Sequence, residues 1–369
     1  MAHSLFFFGT LCHPPLLEAV AGNTDHLTLT PAAMPGYSVH AVAEGSFPAI
    51  ALNAGAKATG ILAEGLRDDD LARLNYYESA FGYTLEDGTL EGGQRVQVYM
   101  PPKNTLTLQG PWQVGEWADA HGRLSVIAAR EVMTYRHSKT PAQISEMFPM
   151  IRARAWSAMN AEHSVHGART LSGSVTVANM RRPYANYFAL EEYDLCHERF
   201  DGSMTPEVMR AVFRAPDATL VLPYDPVRDR VLLVEQMRMG PLARGDRTLW
   251  QLEPVAGRLD PGEAPQDAAR REALEEAGLE IGEMFPVAEA YCSPGNSSEF
   301  YYIYVGFADL PDTVTGTGGL AEEEEDIRSH VMAFDDLMQM CDQLQLANAP
   351  LIMSAYWLAR HRDRLRAMA

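Results

Sequence analysis

Short apolar runs bounded by glycine and proline alternate along this chain with stretches of helical period. LFFFGTL at residues 5–11 reads as a buried strand entering a tight Gly-Thr turn, and LLEAVAG after it as a short helix stopped by Gly22. TLTPAAMPGYSVHAVAEGSFPAIAL and KATGILAEGL read as short strands cut by Pro and Gly turns. DDDLARLNYYESA predicts a helix whose Asp68 to Asp70 favour its N-terminus, and RVQVYMP alternates as a strand. Short strands around one helix predict a small β-barrel-like domain. Residues 110–163, rich in Ala, Met and Arg at helical spacing, predict two or three helices. The apolar period fades across HGARTLSGS, which sets a boundary near residues 165–172 and gives two domains, 1–165 and 172–369.

In the second domain SVTVANM, YFALEEYDLCHERF, EVMRAVF, ATLVLPYDPVRDRVLLVEQMR and WQLEPVAG are strand-like, with DPVRDR as a turn. EAYCSPGNSSEFYYIYVGF reads as a loop and a strand, and the tail from DDLMQM to the end as helical. Strands and helices in this order suit a sheet sandwiched between helices, so the fold class is α/β, or α+β when the first domain is included.

The stretch from Gly257 to Leu279, GRLDPGEAPQDAARREALEEAGL, carries the densest chemistry. Pro261-Gly262 makes a turn, the alanine-rich run after it favours helix, and Gly278 stands where a left-handed cap would end that helix. Glu272, Glu275 and Glu276 fall at i, i+3, i+4 and share one face. Arg271 is placed to pair with Glu275, which leaves Glu272 and Glu276 for a hard, oxygen-seeking cation such as Mg²⁺. Elsewhere, Glu78 sits among Tyr76, Tyr77, Phe81 and Tyr83, a setting that desolvates a carboxylate and suits a general base. Five consecutive acids run from Glu322 to Asp326.

Composition narrows the partners. A hydrophobic content of 47% with 21% charged residues is that of an ordinary soluble globular protein. A net charge of −19 argues against a nucleic-acid backbone or an anionic membrane as the main partner. No apolar run is long enough to span a bilayer, and LFFF has no basic region before it, so it makes a poor signal peptide. Cys12, Cys196, Cys292 and Cys341 are far apart without metal-type pairing, which fits small buried thiols in a reduced, cytoplasmic setting. His163 and His166 lie near the boundary without a third ligand and read as surface residues. HRD at 361–363 and GTGG at 316–319 lack the settings of a kinase loop or a nucleotide loop.

Two resemblances follow from these residues. Gly257 to Leu279, with Glu263, Arg271-Glu272, Glu275-Glu276 and Gly278 in register, resembles a complete Nudix box. Residues 173–360, through LPYDPVRDRVLLVEQMR, WQLEPVAG, SPGNSSE and LAEEEEDIRSHV, resemble the ADP-ribose pyrophosphatase branch of that family. Residues 5–101, with an aromatic-Gly-Thr-Leu loop, MPGY, a Tyr-Glu helix end and a VYM strand in that order, resemble the γ-glutamyl cyclotransferase-like (AIG2-like) family. Phe8 stands where Tyr is usual there, Asn75 where Asp is frequent, and Ser79 where Gly often follows the Glu. The combination resembles bacterial tellurite-resistance proteins of the TrgB type.

The resemblances imply a small cyclotransferase-like domain followed by a Nudix α/β/α sandwich, and they imply roles. Glu272, Glu276, Glu325 and the carbonyl of Ala256 would hold Mg²⁺, with Mn²⁺ as the alternative, and Glu323 would be the general base, with Glu322, Glu324 and Glu325 as alternatives. Arg210 and Arg238 would meet phosphate or ribose, Tyr187 would stack on adenine, and Glu253 would be a ligand or an orienting group. In the first domain the backbone of Gly9, Thr10 and Leu11 would receive a substrate carboxylate, and Glu78 would help an amine attack its own γ-carbonyl to release 5-oxoproline. The implied enzyme is a cytoplasmic homodimer that splits ADP-ribose or a related nucleoside diphosphate sugar into AMP and ribose 5-phosphate. The alternatives are a γ-glutamyl cyclotransferase with a secondary Nudix half, and a non-catalytic nucleotide-binding stress protein.

Overall fold

LFFF forms the expected first strand, β1 (His3–Phe7), with Leu5, Phe6 and Phe7 buried. The computed structural model describes all residues except 1–2, 103–104, 164–166, 315 and 320–324. The chain divides into two units, Met1–Met159 and Asn160–Ala369.

In the first unit α1 (Pro14–Ala21) stops at Gly22 as expected. The next region departs from the sequence reading. In place of several short strands it forms one long hairpin of β2 (Thr28–Val42) and β3 (Gly45–Leu66). The Pro-Gly pair does not end the strand, because a bulge at Pro35/Tyr37 takes up Gly36 at φ 80° and pairing resumes beyond it. α2 (Asp68–Ser79) is capped by Asp70, whose carboxylate accepts the Arg67 N–H at 2.8 Å. β4 (Thr84–Thr89), β5 (Arg95–Met100) and β6 (Leu108–Pro111) complete a sheet of order β4-β5-β1-β3-β2-β6. That path is open: among the described residues β4 and β6 do not pair, so the barrel-like expectation gives way to an open sheet. The helical stretch is α3 (Val114–Trp117), a π-helical turn at Ala118–Gly122, α4 (Arg123–Thr134) and α5 (Pro141–Glu162). Arg154 of α5, 1% exposed, donates from Nε to Glu131 of α4 at 3.1 Å, a buried pair that fixes the two helices together.

The second unit opens with an antiparallel sheet of β7 (Val175–Ala185), β8 (Ala189–His197) and β9 (Val208–Arg214). β10 (Ala218–Asp225) is buried along its whole length and pairs parallel with a later strand, as near-continuous apolar strands do. The further elements are β11 (Arg230–Met237), α6 (Met239–Arg244), β12 (Trp250–Glu253), β13 (Val255–Arg258), α7 (Pro265–Ala277), β14 (Met284–Tyr291), β15 (Phe300–Phe307), β16 (Thr317–Gly318), β17 (Ile327–Ala333), α8 (Phe334–Asp342) and α9 (Ala349–Arg366). The main sheet runs β14-β15-β10-β11-β17-β16, with β12 on β11 and β13 on β10. Successive side chains of β10 and β11 go to opposite faces. Val221, Leu232 and Val234 pack with Ala269 and Ala273 of α7, while Leu222, Tyr224 and Leu233 pack with Phe334, Leu351 and Leu358 of α8 and α9. The sandwich is thus written in strict alternation along two strands.

All four cysteines are free, but they are not uniformly buried as expected: Cys12 and Cys341 are, Cys196 is half-exposed and Cys292 is exposed in the loop after β14. His163 is exposed, and His166 lies outside the described residues. No described helix is long and apolar enough to cross a membrane.

Candidate active site

In the second unit the chemistry gathers where α7 lies against β13. β13 pairs antiparallel with the buried β10, setting Ala256 opposite Leu220 and Gly257 opposite Thr219. Buried Ala268, Ala269 and Ala273 press α7 onto the sheet, and Gly278, in the left-handed conformation at φ 62°, ends it. This packing turns Glu272 and Glu276 toward the β13 backbone. A Cβ on Gly257 would come within 1.9 Å of the Glu272 carboxyl carbon, so only glycine admits that carboxylate. Glu276 is 4% exposed and accepts the Ala256 N–H at 3.2 Å.

Burial pushes the Glu276 carboxyl up to about 8; the Ala256 N–H and Arg238 oppose the rise, and Glu272 and Glu325 add to it. Glu272 is also raised, chiefly by burial, against the pull of Arg271. Three acids, Glu272, Glu276 and Glu325, therefore act on one another within a partly desolvated corner. Arg271 and Arg238 offset part of that charge; the Glu272 and Glu276 oxygens beside a strand backbone are of the hard type that suits a divalent ion such as Mg²⁺, while among the described residues no group of three His, Cys, Asp or Glu side chains is arranged to hold one.

Arg271 is the hub of the helix. It donates to Glu272 at 2.7 Å, to Glu275 at 3.1 Å, to Glu263 at 2.9 Å and 3.0 Å, and to the Arg258 carbonyl at 3.0 Å. The expectation that Arg271 would take Glu275 and leave Glu272 free is thus corrected: one guanidinium has enough donors for all three acids. Glu253, 6% exposed, is held by Arg238 at 2.6 Å and 2.9 Å, the geometry of an orienting group. The exposed Tyr187, in the turn between β7 and β8, has the Arg258 guanidinium 4.7 Å above its ring. It is thereby tied to the strand that carries Ala256 and Gly257. Arg210 lies exposed on β9 and donates to the Met209 carbonyl at 2.9 Å; no described contact brings it to the carboxylates. Glu323, with Glu322 and Glu324, lies outside the described residues.

A second site lies in the first unit, a cavity of about 260 Å³. Gly9, Thr10 and Leu11 line it from the turn after β1, and Glu78 lines it from the end of α2. Its walls are mostly aromatic, with Phe8, Tyr77, Phe81, Tyr83 and Tyr99 among them. Hydrogen bonds fix the rings: Tyr83 donates to the Pro48 carbonyl at 2.7 Å, and Tyr99 donates to Asn75 at 2.7 Å. Desolvation in this setting pushes the Glu78 carboxyl up to about 8. Trp117, Phe148 and Arg152 also line the cavity. They come from the helices after residue 110, and no local pattern in the sequence marked them.

Comparison with known proteins finds a family match in each unit. ADP-ribose pyrophosphatase of Escherichia coli (strain K12) is 41% identical over 183 residues, which cover 50% of this chain and 87% of that protein. The NUDIX domain family model matches residues 214–354. The chain belongs to the Nudix family. It is also 33% identical over 185 residues to the ADP-ribose pyrophosphatase of Haemophilus influenzae (strain ATCC 51907 / DSM 11121 / KW20 / Rd), covering 50% of this chain and 85% of that protein. The GDP-mannose pyrophosphatase of Escherichia coli (strain SMS-3-5 / SECEC) is 30% identical over 175 residues, covering 47% and 88%. The first unit carries a second family: Gamma-glutamyl cyclotransferase, AIG2-like, matches residues 5–119. The chain is therefore a Nudix hydrolase with a cyclotransferase-like domain ahead of it.

Proposed function

We propose that the second unit hydrolyses the pyrophosphate of ADP-ribose, or of a related nucleoside diphosphate sugar, to AMP and ribose 5-phosphate with Mg²⁺, Mn²⁺ being the alternative. The observation that carries this reading is the pair of carboxylates, Glu272 and Glu276, held against the β13 backbone at Gly257 and Ala256. A divalent cation held there by Glu272, Glu276, Glu325 and the Ala256 carbonyl would neutralise pyrophosphate charge and acidify the attacking water. Arg271 keeps Glu272 turned to β13, and Glu253 sets the Arg238 fork for phosphate or ribose oxygens. Tyr187 offers a ring for a base, Glu323 is the candidate proton acceptor, Arg210 is a candidate for phosphate or ribose, and the enzyme is read as a homodimer. The greater identity to the two ADP-ribose pyrophosphatases than to the GDP-mannose enzyme favours ADP-ribose. The same reading puts the protein in the cytoplasm, with neither nucleic acid nor membrane as partner, and its domain boundary at residues 165–172. Incubating the protein and Mg²⁺ with ADP-ribose and GDP-mannose, and identifying products by mass, tests it: AMP and ribose 5-phosphate from ADP-ribose are expected, turnover of GDP-mannose alone would overturn the preference for ADP-ribose, and hydrolysis of neither would refute the reading.

A second reading is favoured by the first unit's cavity, where a carboxyl raised to about 8 stands among aromatic rings beside Gly9, Thr10 and Leu11. It is γ-glutamyl cyclotransfer, with Glu78 as the base that releases 5-oxoproline. Chromatographic detection of 5-oxoproline from γ-glutamyl amines tests it, and no release from any of them would count against it.

A further inference from the structure

A few buried side-chain polar atoms have no hydrogen-bond partner among the described residues, and Nε2 of Gln236 is one of them. Gln236 is 8% exposed, and a donor shut away from water without an acceptor is a standing cost to the fold. Of the others, Tyr76 and Trp156 belong to the first unit, Ser354 is buried on α9, and Arg230 is bound to Asp312 through Nη1. Gln236 differs in its place. Side chains alternate along β11, so Gln236 shares a face with Leu232 and Val234, which pack with Ala269 and Ala273 of α7, the helix of Glu272 and Glu276. Register sets Val234 opposite Glu253 and Gln236 opposite Gln251 of β12, and two residues further on the Arg238 N–H donates to the Leu249 carbonyl. The ion pair between Arg238 and Glu253 therefore crosses the row that Gln236 occupies. The charges of Glu276 and Glu325 act on that same guanidinium. The Gln236 nitrogen thus stands beside the Arg238–Glu253 pair, on the strand face that α7 covers, and bonds to neither member of it.

We propose that Gln236 is a substrate-contacting residue of the hydrolase site, its amide donating to an oxygen of the same pyrophosphate that Arg238 engages. The proposal deepens the hydrolase reading above and rests on it. Ionised phosphate oxygens are acceptors, and a carboxamide nitrogen is a donor only. Arg238 supplies charge and a fork, and Gln236 adds a directed neutral donor two residues away on the same strand face. Together they fix how the phosphate is turned as well as where it sits. Oε2 of Glu253 is already taken by Arg238, which leaves the amide for a ligand. A donor fixed in place before the substrate arrives, in a desolvated setting, acts more strongly on developing negative charge than one in water.

The test compares the full-length protein with its Gln236→Met variant, which keeps the length of the side chain and removes the amide. Steady-state hydrolysis of ADP-ribose with Mg²⁺ gives kcat and KM. Calorimetry with ADP-ribose and with inorganic pyrophosphate in metal-free buffer gives binding without turnover. Gln236→Met should lower kcat/KM by about 10–100-fold, the scale of a lost hydrogen bond to a charged group, and weaken the binding of both compounds by a similar factor. Its melting temperature without ligand should equal or exceed that of the wild type, because the donor it removes has no acceptor in the protein. A lower melting temperature with unchanged binding would make Gln236 a packing residue and overturn the proposal. Weaker binding of ADP-ribose with unchanged binding of pyrophosphate would move the contact to the sugar or the base and overturn it too. Gln236→Leu carries the test where the methionine variant does not fold. If the wild type hydrolyses neither ADP-ribose nor GDP-mannose, the hydrolase reading fails. Metal-free binding then decides separately: Gln236-dependent binding of pyrophosphate sustains the phosphate contact, and equal or no binding removes it.

Discussion

Gly257 and Glu272 are fitted to each other so closely that a methyl group on the glycine would lie 1.9 Å from the glutamate's carboxyl carbon. A strand backbone and a helix carboxylate thus share the space that a side chain would otherwise fill. Gly257→Ala should leave the sandwich folded while driving Glu272 out of position. Misplacement of a reacting group by about 1 Å costs about 10²-fold in rate, and a loss on that scale is expected in steady-state hydrolysis. Circular dichroism should remain that of the wild type. Full activity in the variant would show that the carboxylate's position is unimportant.

Glu276 and Glu323 should fail in different ways. Glu276→Gln keeps the shape and the approach to the Ala256 N–H but removes a charge from the cluster. Metal activation should weaken, and added Mg²⁺ should restore part of the rate. For Glu323→Gln a loss of about 10²–10⁴-fold is expected, as for a missing general base, with unchanged metal affinity. Titrating Mg²⁺ against turnover separates the two. Rescue of Glu323→Gln by metal would make it a ligand and move the base to Glu322, Glu324 or Glu325.

Arg271 joins Glu263, Glu272, Glu275 and the Arg258 carbonyl, and nothing shorter replaces its several donors. Arg271→Ala should cost about 2 kcal/mol or more in urea denaturation, the scale of hydrogen bonds to charged groups. Stability equal to the wild type would mean that water and solvent ions screen these acids as well as the guanidinium does.

The Glu78 carboxyl gives a pH signature. Its value in the folded protein is about 8 against a usual 4.5, so between those pH values the folded state holds a proton that the unfolded state has lost. Stability therefore falls as pH rises from about 4.5 to about 8. Glu78→Gln removes this dependence, and its melting temperature relative to the wild type should climb over that window. As a base, Glu78 must be ionised, so 5-oxoproline release should rise with pH and level off above about 8. A variant that tracks the wild type at every pH would return the carboxyl to ordinary solvation.

The signature helix was legible because its chemistry is local: residues a turn apart share a face, and Gly278 ends the helix whatever surrounds it. The order of strands and helices likewise announced a sheet covered on both faces, which the structure realises by sending Val221 and Leu232 to one face and Leu222 and Leu233 to the other. Where the outcome depended on distant pairing, the reading failed or stopped short. The long β2–β3 hairpin survives its internal Pro and Gly because a bulge absorbs Gly36, a choice made by the partner strand. Arg271 takes Glu263 and Glu272 as well as Glu275 because the turn before α7 folds back over it. Arg152 reaches the Glu78 cavity only through the packing of the helical extension, which no spacing in the sequence reports.

The most direct measurement is phosphorus NMR of ADP-ribose incubated with the wild type and with Glu276→Gln across a Mg²⁺ series. The account predicts that the wild type converts the pyrophosphate signals into those of AMP and ribose 5-phosphate, and that Glu276→Gln does so only at raised Mg²⁺. Unchanged pyrophosphate with the wild type at every Mg²⁺ and Mn²⁺ concentration, or equal metal dependence in the variant, would contradict it.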